Sequence, residues 1–168
     1  IFVFMCYAAT GRGIYIFGGL SLGALAGKVA YTLFSHVRVR FEAWLDPWSI
    51  IEGRGYQIAQ SLFAIGTGGW FGMGLTQGRP SDIPVVESDF IFSAIAEEFG
   101  IFFAICLILI YLGVFVHFLR IAMDVQGRFY KLVAYGFSIC FIFQVFLTIG
   151  GVTKFIPSTG VTLPLISY

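Results

Sequence analysis

The chain has 168 residues, of which 58% are hydrophobic and only 11% charged, at a mean hydropathy of +0.91. A soluble domain carries about 25% charged residues, so this chain has too little polar surface to cover itself in water. It reads as a polytopic membrane protein, and a net charge of +1 offers no basic surface for nucleic acid.

Ile1 to Ala9 is apolar but shorter than the roughly 20 residues a spanning helix needs. It lacks the basic start of a signal peptide, so it reads as a partial span, the end of a preceding helix. With no polar tail at Tyr168, the sequence reads as a piece of a longer protein. Ile14–Phe34 is the first clear span. Gly19, Gly23 and Gly27 recur on it every four residues, a stripe that lets another helix approach closely. Lys28 beside them is a cation in an apolar segment, which calls for pairing, snorkelling or a functional partner.

Tyr56–Leu75 is ambiguous. It is apolar enough to be considered, yet it carries Gln57, Gln60, Ser61, Thr67 and several glycines. Polar groups find no partner in lipid, so this segment either faces a wet cavity or never crosses. If it crosses, Arg38, Arg40 and Arg54 join Arg120, Arg128 and Lys131 on the cytoplasmic side. If it does not, about 35–89 forms one large outer loop, and Lys154 alone opposes the inner charges Arg12, Arg120, Arg128 and Lys131. The positive-inside rule favours the first count but weakens as loops approach about 60 residues, and over short loops alone the second satisfies it too. The second arrangement is preferred, and Asp89 lies outside in either. Phe90–Leu119 and Leu132–Val152 complete three clear spans. The expected fold is an all-α, multi-pass transmembrane helix bundle, one membrane domain over residues 1–168, with a re-entrant or interfacial segment.

Little of this chain carries familiar soluble chemistry. Cys6, Cys106 and Cys140 lie in apolar stretches with no metal-binding spacing, which makes them packing residues. Gly66, Gly68, Gly69, Gly72 and Gly74 crowd one segment, but no Gly-Lys-Ser/Thr follows, so they permit a turn rather than cradle a nucleotide. Arg79 follows them and has the fork of donors that suits an anionic group. His36 and His117 fall near opposite membrane faces and form no pair.

The acidic stretch Glu87-Ser88-Asp89 abuts the apolar start of a long helix at Phe90, where water and lipid headgroups meet. Asp89 has two readings there, a helix N-cap or a carboxylate that takes a proton from a substrate. Glu87 and Asp89 together also offer hard oxygen ligands for a divalent cation such as Mg²⁺. Glu97 lies about 80° round the helix from Asp89 and roughly 12 Å deeper, with Glu98 on the opposite face. Acids so placed are costly, and at least one should be paired or face a cavity.

In order, Trp44-Leu45-Asp46-Pro47, Gly55-Tyr56-Gln57 with Gln60-Ser61, and Gly68-Gly69 with Gly72 and Gly74 resemble the SEDS family of bacterial shape, elongation, division and sporulation proteins. Asp89-Phe90-Ile91-Phe92, Glu97-Glu98-Phe99-Gly100, Pro157-Ser158-Thr159-Gly160-Val161-Thr162-Leu163-Pro164 and Ile166-Ser167-Tyr168 continue the likeness across nearly the whole chain. The resemblance, to the FtsW, RodA and SpoVE group, implies the C-terminal half of a ten-helix protein of the bacterial cytoplasmic membrane that polymerises lipid II into glycan strands. It implies a class B penicillin-binding protein as partner, a large outer loop, and an essential acid at Asp89. With Asp89 as base, Arg79 and Lys154 are candidate charge stabilisers, and Glu87, Thr159 and Ser167 further candidate substrate contacts. A divalent cation, Mg or Mn, is a candidate cofactor. Thr148-Ile149-Gly150-Gly151 departs from the family pattern, where an asparagine is common. A transporter of the same lipid-linked precursor, using Lys28, Glu97 and Glu98, and a non-catalytic scaffold are the alternative functions.

Overall fold

The computed structural model describes every residue except 1, 49–54, 80–82, 84, 85, 87 and 168. Six helices carry it: α1 (Phe2–Thr10), α2 (Ile14–Leu33), α3 (Ser35–Leu45), α4 (Tyr56–Gly68), α5 (Ile91–Asp124) and α6 (Arg128–Val152). No strand forms among the described residues. Helices α2, α5 and α6 are long and apolar enough to cross a membrane, and the protein is a helical membrane protein. The stretch about 35–89, read from the sequence as one loop, contains α3 and α4.

The chain divides into two compact units. The first comprises Ile1–Arg38 and Tyr111–Phe143. It is built on close approach at small residues: Gly19 of α2 lies directly on Val3 of α1, and Met5 of α1 lies on Gly136 of α6. Among the described residues nothing lies within 4 Å of where a side chain on Gly23 or Gly27 would start, so of the expected stripe only Gly19 meets a helix here. A small residue permits close packing only where a partner helix is in register with it, and nine-residue α1 meets α2 at Gly19. Helix α2 buries no residue, and its leucines and phenylalanines stand exposed, as lipid-facing side chains do. Lys28 is also exposed and has no polar partner among the described residues.

The second unit comprises Val39–Ile110 and Gln144–Tyr168. Helix α4 has 13 residues, which at 1.5 Å per residue is about 20 Å and short of the roughly 30 Å of a hydrocarbon core. It buries Ile58, Ala59, Ser61, Ala64 and Gly68, one helical face. Ser61, fully buried, shares a 2.6 Å hydrogen bond with the Ser93 hydroxyl of α5 and lies 3.0 Å from the Val152 carbonyl of α6. That knot gives the polar side of α4 protein partners rather than water.

The long apolar stretch expected as one helix is broken at Gly100, whose φ of 83° and ψ of 175° leave the helical region. A break in a membrane helix frees backbone groups that lipid cannot satisfy. Here the glycine-rich segment after α4 takes them up. The Glu97 and Glu98 carbonyls accept from Met73 N–H (2.9 Å) and Gly74 N–H (3.0 Å). Ile101 and Phe102 N–H donate to Gly69 and Trp70 carbonyls at 2.9 and 3.3 Å. A Cβ on Gly68, Gly72 or Gly100 would run into the backbone of the facing segment. Glycines crowd this segment because two backbones touch there.

Candidate active site

The sequence put several candidate residues between Arg79 and Ser167, and the second unit sorts them into two places. The first is the mouth of α5. The opening hydrogen bonds of that helix run to the Phe90 carbonyl, from Ser93 N–H at 2.9 Å and Ala94 N–H at 3.3 Å. The capping position therefore belongs to Phe90, and Asp89 lies one residue outside it. Among the described residues the Asp89 carboxylate accepts no hydrogen bond and joins no ion pair. It is half-buried beside a niche of about 10 Å³, close to the room a single water requires. Leu147, Thr148, Gly151 and Val152 of α6 form one wall, and residues 158–161 the other.

That second wall is held by the sequence that leads to it. Helix α6 ends at Val152, and Phe155 and Ile156 N–H both donate to the Gly150 carbonyl, at 2.8 and 3.0 Å. Gly150 and Gly151 leave room for Ile156 and Ser158 to lie on the helix. The Thr148 hydroxyl reaches the Val161 carbonyl at 2.8 Å, and Gln144 Nε2 donates to the Thr162 carbonyl at 3.0 Å. Thr148 and Gly151 thus line the niche directly, and Gly150 holds the loop that faces them.

Helix α3 adds a residue that sequence reasoning used only in counting charge. Arg40 Nη1 donates to the Ser158 carbonyl at 3.2 Å. Asp89 Oδ2 lies 3.4 Å, and both Arg40 Nη atoms 3.6 Å, from the point where a Cβ on Gly160 would sit. Acid and guanidinium therefore flank the same glycine. Arg40 was findable in principle, as an arginine one turn before the Trp44-Leu45-Asp46-Pro47 motif. No spacing rule tied it to Asp89, which lies 49 positions on in the numbering.

Thr159 is exposed and lines the niche, in company with Asp89. The Ser167 hydroxyl is occupied by the fold: it donates to the Ser88 carbonyl at 2.6 Å and accepts from Leu163 N–H at 3.1 Å. It ties the segment immediately before Asp89 to the end of the chain. Lys154 has a left-handed backbone (φ 61°), and its carbonyl accepts from Trp44 Nε1 at 3.0 Å, which docks α3. Among the described residues no polar contact joins the Lys154 side chain to Asp89. Glu87 lies outside the described residues.

The second place is the break in α5. Glu97 is 6% exposed, and its Oε1 accepts from Arg79 N–H at 3.2 Å, while Oε2 is buried with no hydrogen-bond partner among the described residues. Glu98 Oε1 accepts from Thr76 N–H at 3.1 Å. Both glutamates fix the backbone of the turn at 76–79, and among the described residues the exposed Arg79 is bound only through its backbone. Among the described residues no three His, Cys, Asp or Glu side chains gather as a metal site would require. At the niche Asp89 supplies one hard oxygen, the kind of ligand Mg²⁺ takes from protein when substrate phosphates and waters complete its shell.

A family model described as a cell cycle protein, of the FtsW, RodA and SpoVE group, matches residues 1–168. The peptidoglycan glycosyltransferase RodA of Mycobacterium tuberculosis (strain ATCC 25618 / H37Rv) is 43% identical over 99% of this chain and 36% of its own length. Stage V sporulation protein E of Bacillus subtilis (strain 168) is 38% identical over 99% of this chain and 46% of its own. A probable peptidoglycan glycosyltransferase FtsW of Francisella salina is 38% identical over 89% of this chain and 39% of its own. The chain thus spans less than half the length of each of these relatives.

Proposed function

The chain belongs to the FtsW, RodA and SpoVE family of cell cycle proteins, and from that premise we propose that it is part of a peptidoglycan glycosyltransferase that polymerises lipid II at the outer face of the bacterial cytoplasmic membrane. The observation that carries the reading is the Asp89 carboxylate, which has no partner among the described residues, beside a polar niche at the end of a membrane helix. Relatives named as glycosyltransferases match along nearly the whole chain.

The chemistry asks for a base. An acceptor sugar hydroxyl attacks the anomeric carbon of the donor sugar, a new C–O bond forms, and the bond to pyrophosphate breaks with its electron pair leaving on the phosphate oxygen. The hydroxyl proton passes to Asp89, and a positioned general base contributes about 10²–10⁴-fold. Among the described residues Asp89 accepts no hydrogen bond that would compete for its lone pairs. A divalent cation, Mg or Mn, belongs to the proposal: Asp89 would hold it, and it would supply charge stabilisation for the leaving group. A class B penicillin-binding protein is the proposed partner. Glu97 and Glu98 are engaged by backbone N–H groups, which removes the main support for a transport route through them.

Contact of Arg40 and Asp89 with one glycine also supports the topology with a large outer loop, because both residues then lie on one side of the membrane. Single cysteines at positions 38 and 89, in protein lacking the native cysteines, should both react with a membrane-impermeant reagent in intact cells. Labelling at 89 alone would place a crossing between them. For activity, purified full-length protein should make glycan polymer from lipid II, and Asp89→Asn should abolish most of it while inserting normally. A folded wild-type protein that forms no polymer, with and without its partner, would sink the reading.

A further inference from the structure

We infer that Arg40 is the anion-binding residue of the Asp89 niche, taking the pyrophosphate of the lipid-linked donor while Asp89 faces the acceptor hydroxyl. The inference rests on the glycosyltransferase reading and names a residue which that reading had not used. Arg79 and Lys154, the cations suggested by the sequence, are held only by their backbones, at Glu97 and Trp44, and among the described residues neither side chain makes a polar contact with Asp89. Arg40 alone among the three is brought to the glycine that Asp89 touches.

The chemistry of the side chain fits. A guanidinium has five N–H donors in a planar fork that matches phosphate oxygens two at a time. Among the described residues Arg40 uses its Nη1 on the Ser158 carbonyl and is otherwise exposed. That single bond orients the fork without consuming it. Its charge is not cancelled by Asp89 either, since the two form no ion pair among the described residues.

Gly160 is the residue that acid and cation both approach. Its φ of 71° is the left-handed region that disfavours any side chain, and a Cβ there would enter the space between Asp89 Oδ2 and the Arg40 fork. The gap is what a substrate needs if its leaving pyrophosphate is to sit on the cation while its anomeric carbon faces the base side. In the step, the electron pair of the breaking C–O bond moves onto the pyrophosphate that Arg40 holds, and the acceptor proton moves to Asp89. Charge that develops on the leaving oxygen is met by a donor already oriented for it, which costs no reorganisation at the moment of reaction.

The test uses full-length protein in lipid nanodiscs and two probes, undecaprenyl pyrophosphate and undecaprenyl monophosphate. Wild type should prefer the pyrophosphate. Arg40→Ala should lose about ten- to hundredfold in pyrophosphate affinity, the range expected for charge-assisted hydrogen bonds, and bind the two probes alike. Arg40→Lys keeps a donor for the Ser158 carbonyl but has no fork, so it should fold as wild type and recover only part of the preference. It serves as the reading variant if the alanine form is unstable. Asp89→Asn should keep the preference while losing polymerisation. A folded Arg40→Ala or Arg40→Lys protein with the full wild-type preference overturns the assignment. If wild type makes no polymer but its pyrophosphate preference still depends on Arg40, the glycosyltransferase reading fails and the anion site stands. If Arg40→Ala polymerises normally, the anion site fails and the reading stands.

Discussion

Two acidic sites lie about two helical turns apart on the same stretch of chain, and the fold treats them in opposite ways. Glu97 and Glu98 are absorbed into the structure. Each accepts a backbone N–H from the turn at 76–79, and their own carbonyls accept two more from the glycine segment, so side chain and backbone both serve to close the break at Gly100. Asp89 is presented rather than absorbed. The residues around it are tied down, Ser88 by Ser167 and the facing loop by Arg40, Thr148 and Gln144, while its own carboxylate has no partner among the described residues. An acid near a membrane is costly, and the fold accepts that cost in two ways: as mortar for an irregular backbone, or at a water-accessible mouth.

Substitutions at the two sites should therefore separate activity from stability. The largest expected effect is at Asp89. Asp89→Asn keeps the size of the side chain and removes a lone proton acceptor, so polymer formation from lipid II should fall by about 10²–10⁴-fold with an unchanged melting temperature. A matching fall in melting temperature would show that Asp89 too is structural, and the contrast would collapse.

Next is the backbone seam itself. Gly72→Ala puts a methyl against the Glu98 carbonyl at a residue whose φ is 81°. A left-handed non-glycine residue costs about 1–3 kcal/mol, and overpacking adds about as much. We expect a sharp loss of folded protein, read by size-exclusion yield in detergent. Wild-type yield would mean that residues 69–74 are not docked into the break.

Glu97→Ala should destabilise by about 1–3 kcal/mol, because it leaves the Arg79 N–H without its acceptor. Glu97→Gln retains an oxygen for that N–H and should recover most of the loss, with the lipid II affinity of both folded variants unchanged. A specific loss of polymerisation in a stable Glu97→Gln protein would make the buried Oε2 part of the chemistry and redraw the site. The smallest effect is expected at Glu98, which is only half-buried. Glu98→Gln keeps the acceptor for Thr76 N–H, and a shift beyond about 0.5 kcal/mol in thermal unfolding would mark a role beyond that one bond.

How much of this was legible in advance follows from what kind of signal each feature leaves. The spans were legible because lipid demands long apolar runs, and α2 and α6 match the expected segments closely. The shortness of α4 was legible in its polar residues. The break at Gly100 was not, because a glycine inside an apolar run has the same composition whether the helix continues or stops. The glycine stripe is a related case: small residues record a capacity for close packing, and among the described residues Gly19 alone of the stripe has a partner opposite it.

The sequence by itself determined a membrane protein of this family with an acid at a helix mouth, since hydropathy and ordered motifs are properties of the chain read locally. Tertiary structure alone decided which polar residues meet. Asp89, Arg40 and Gly160 are distant in sequence and share no periodicity, so nothing local ties them together. They converge because Trp44 docks α3 onto the end of α6 while Thr148 and Gln144 fold the 158–162 backbone over it. Tertiary structure also separated the acids by role, because whether a carboxylate is spent or available depends on which N–H groups the fold brings to it.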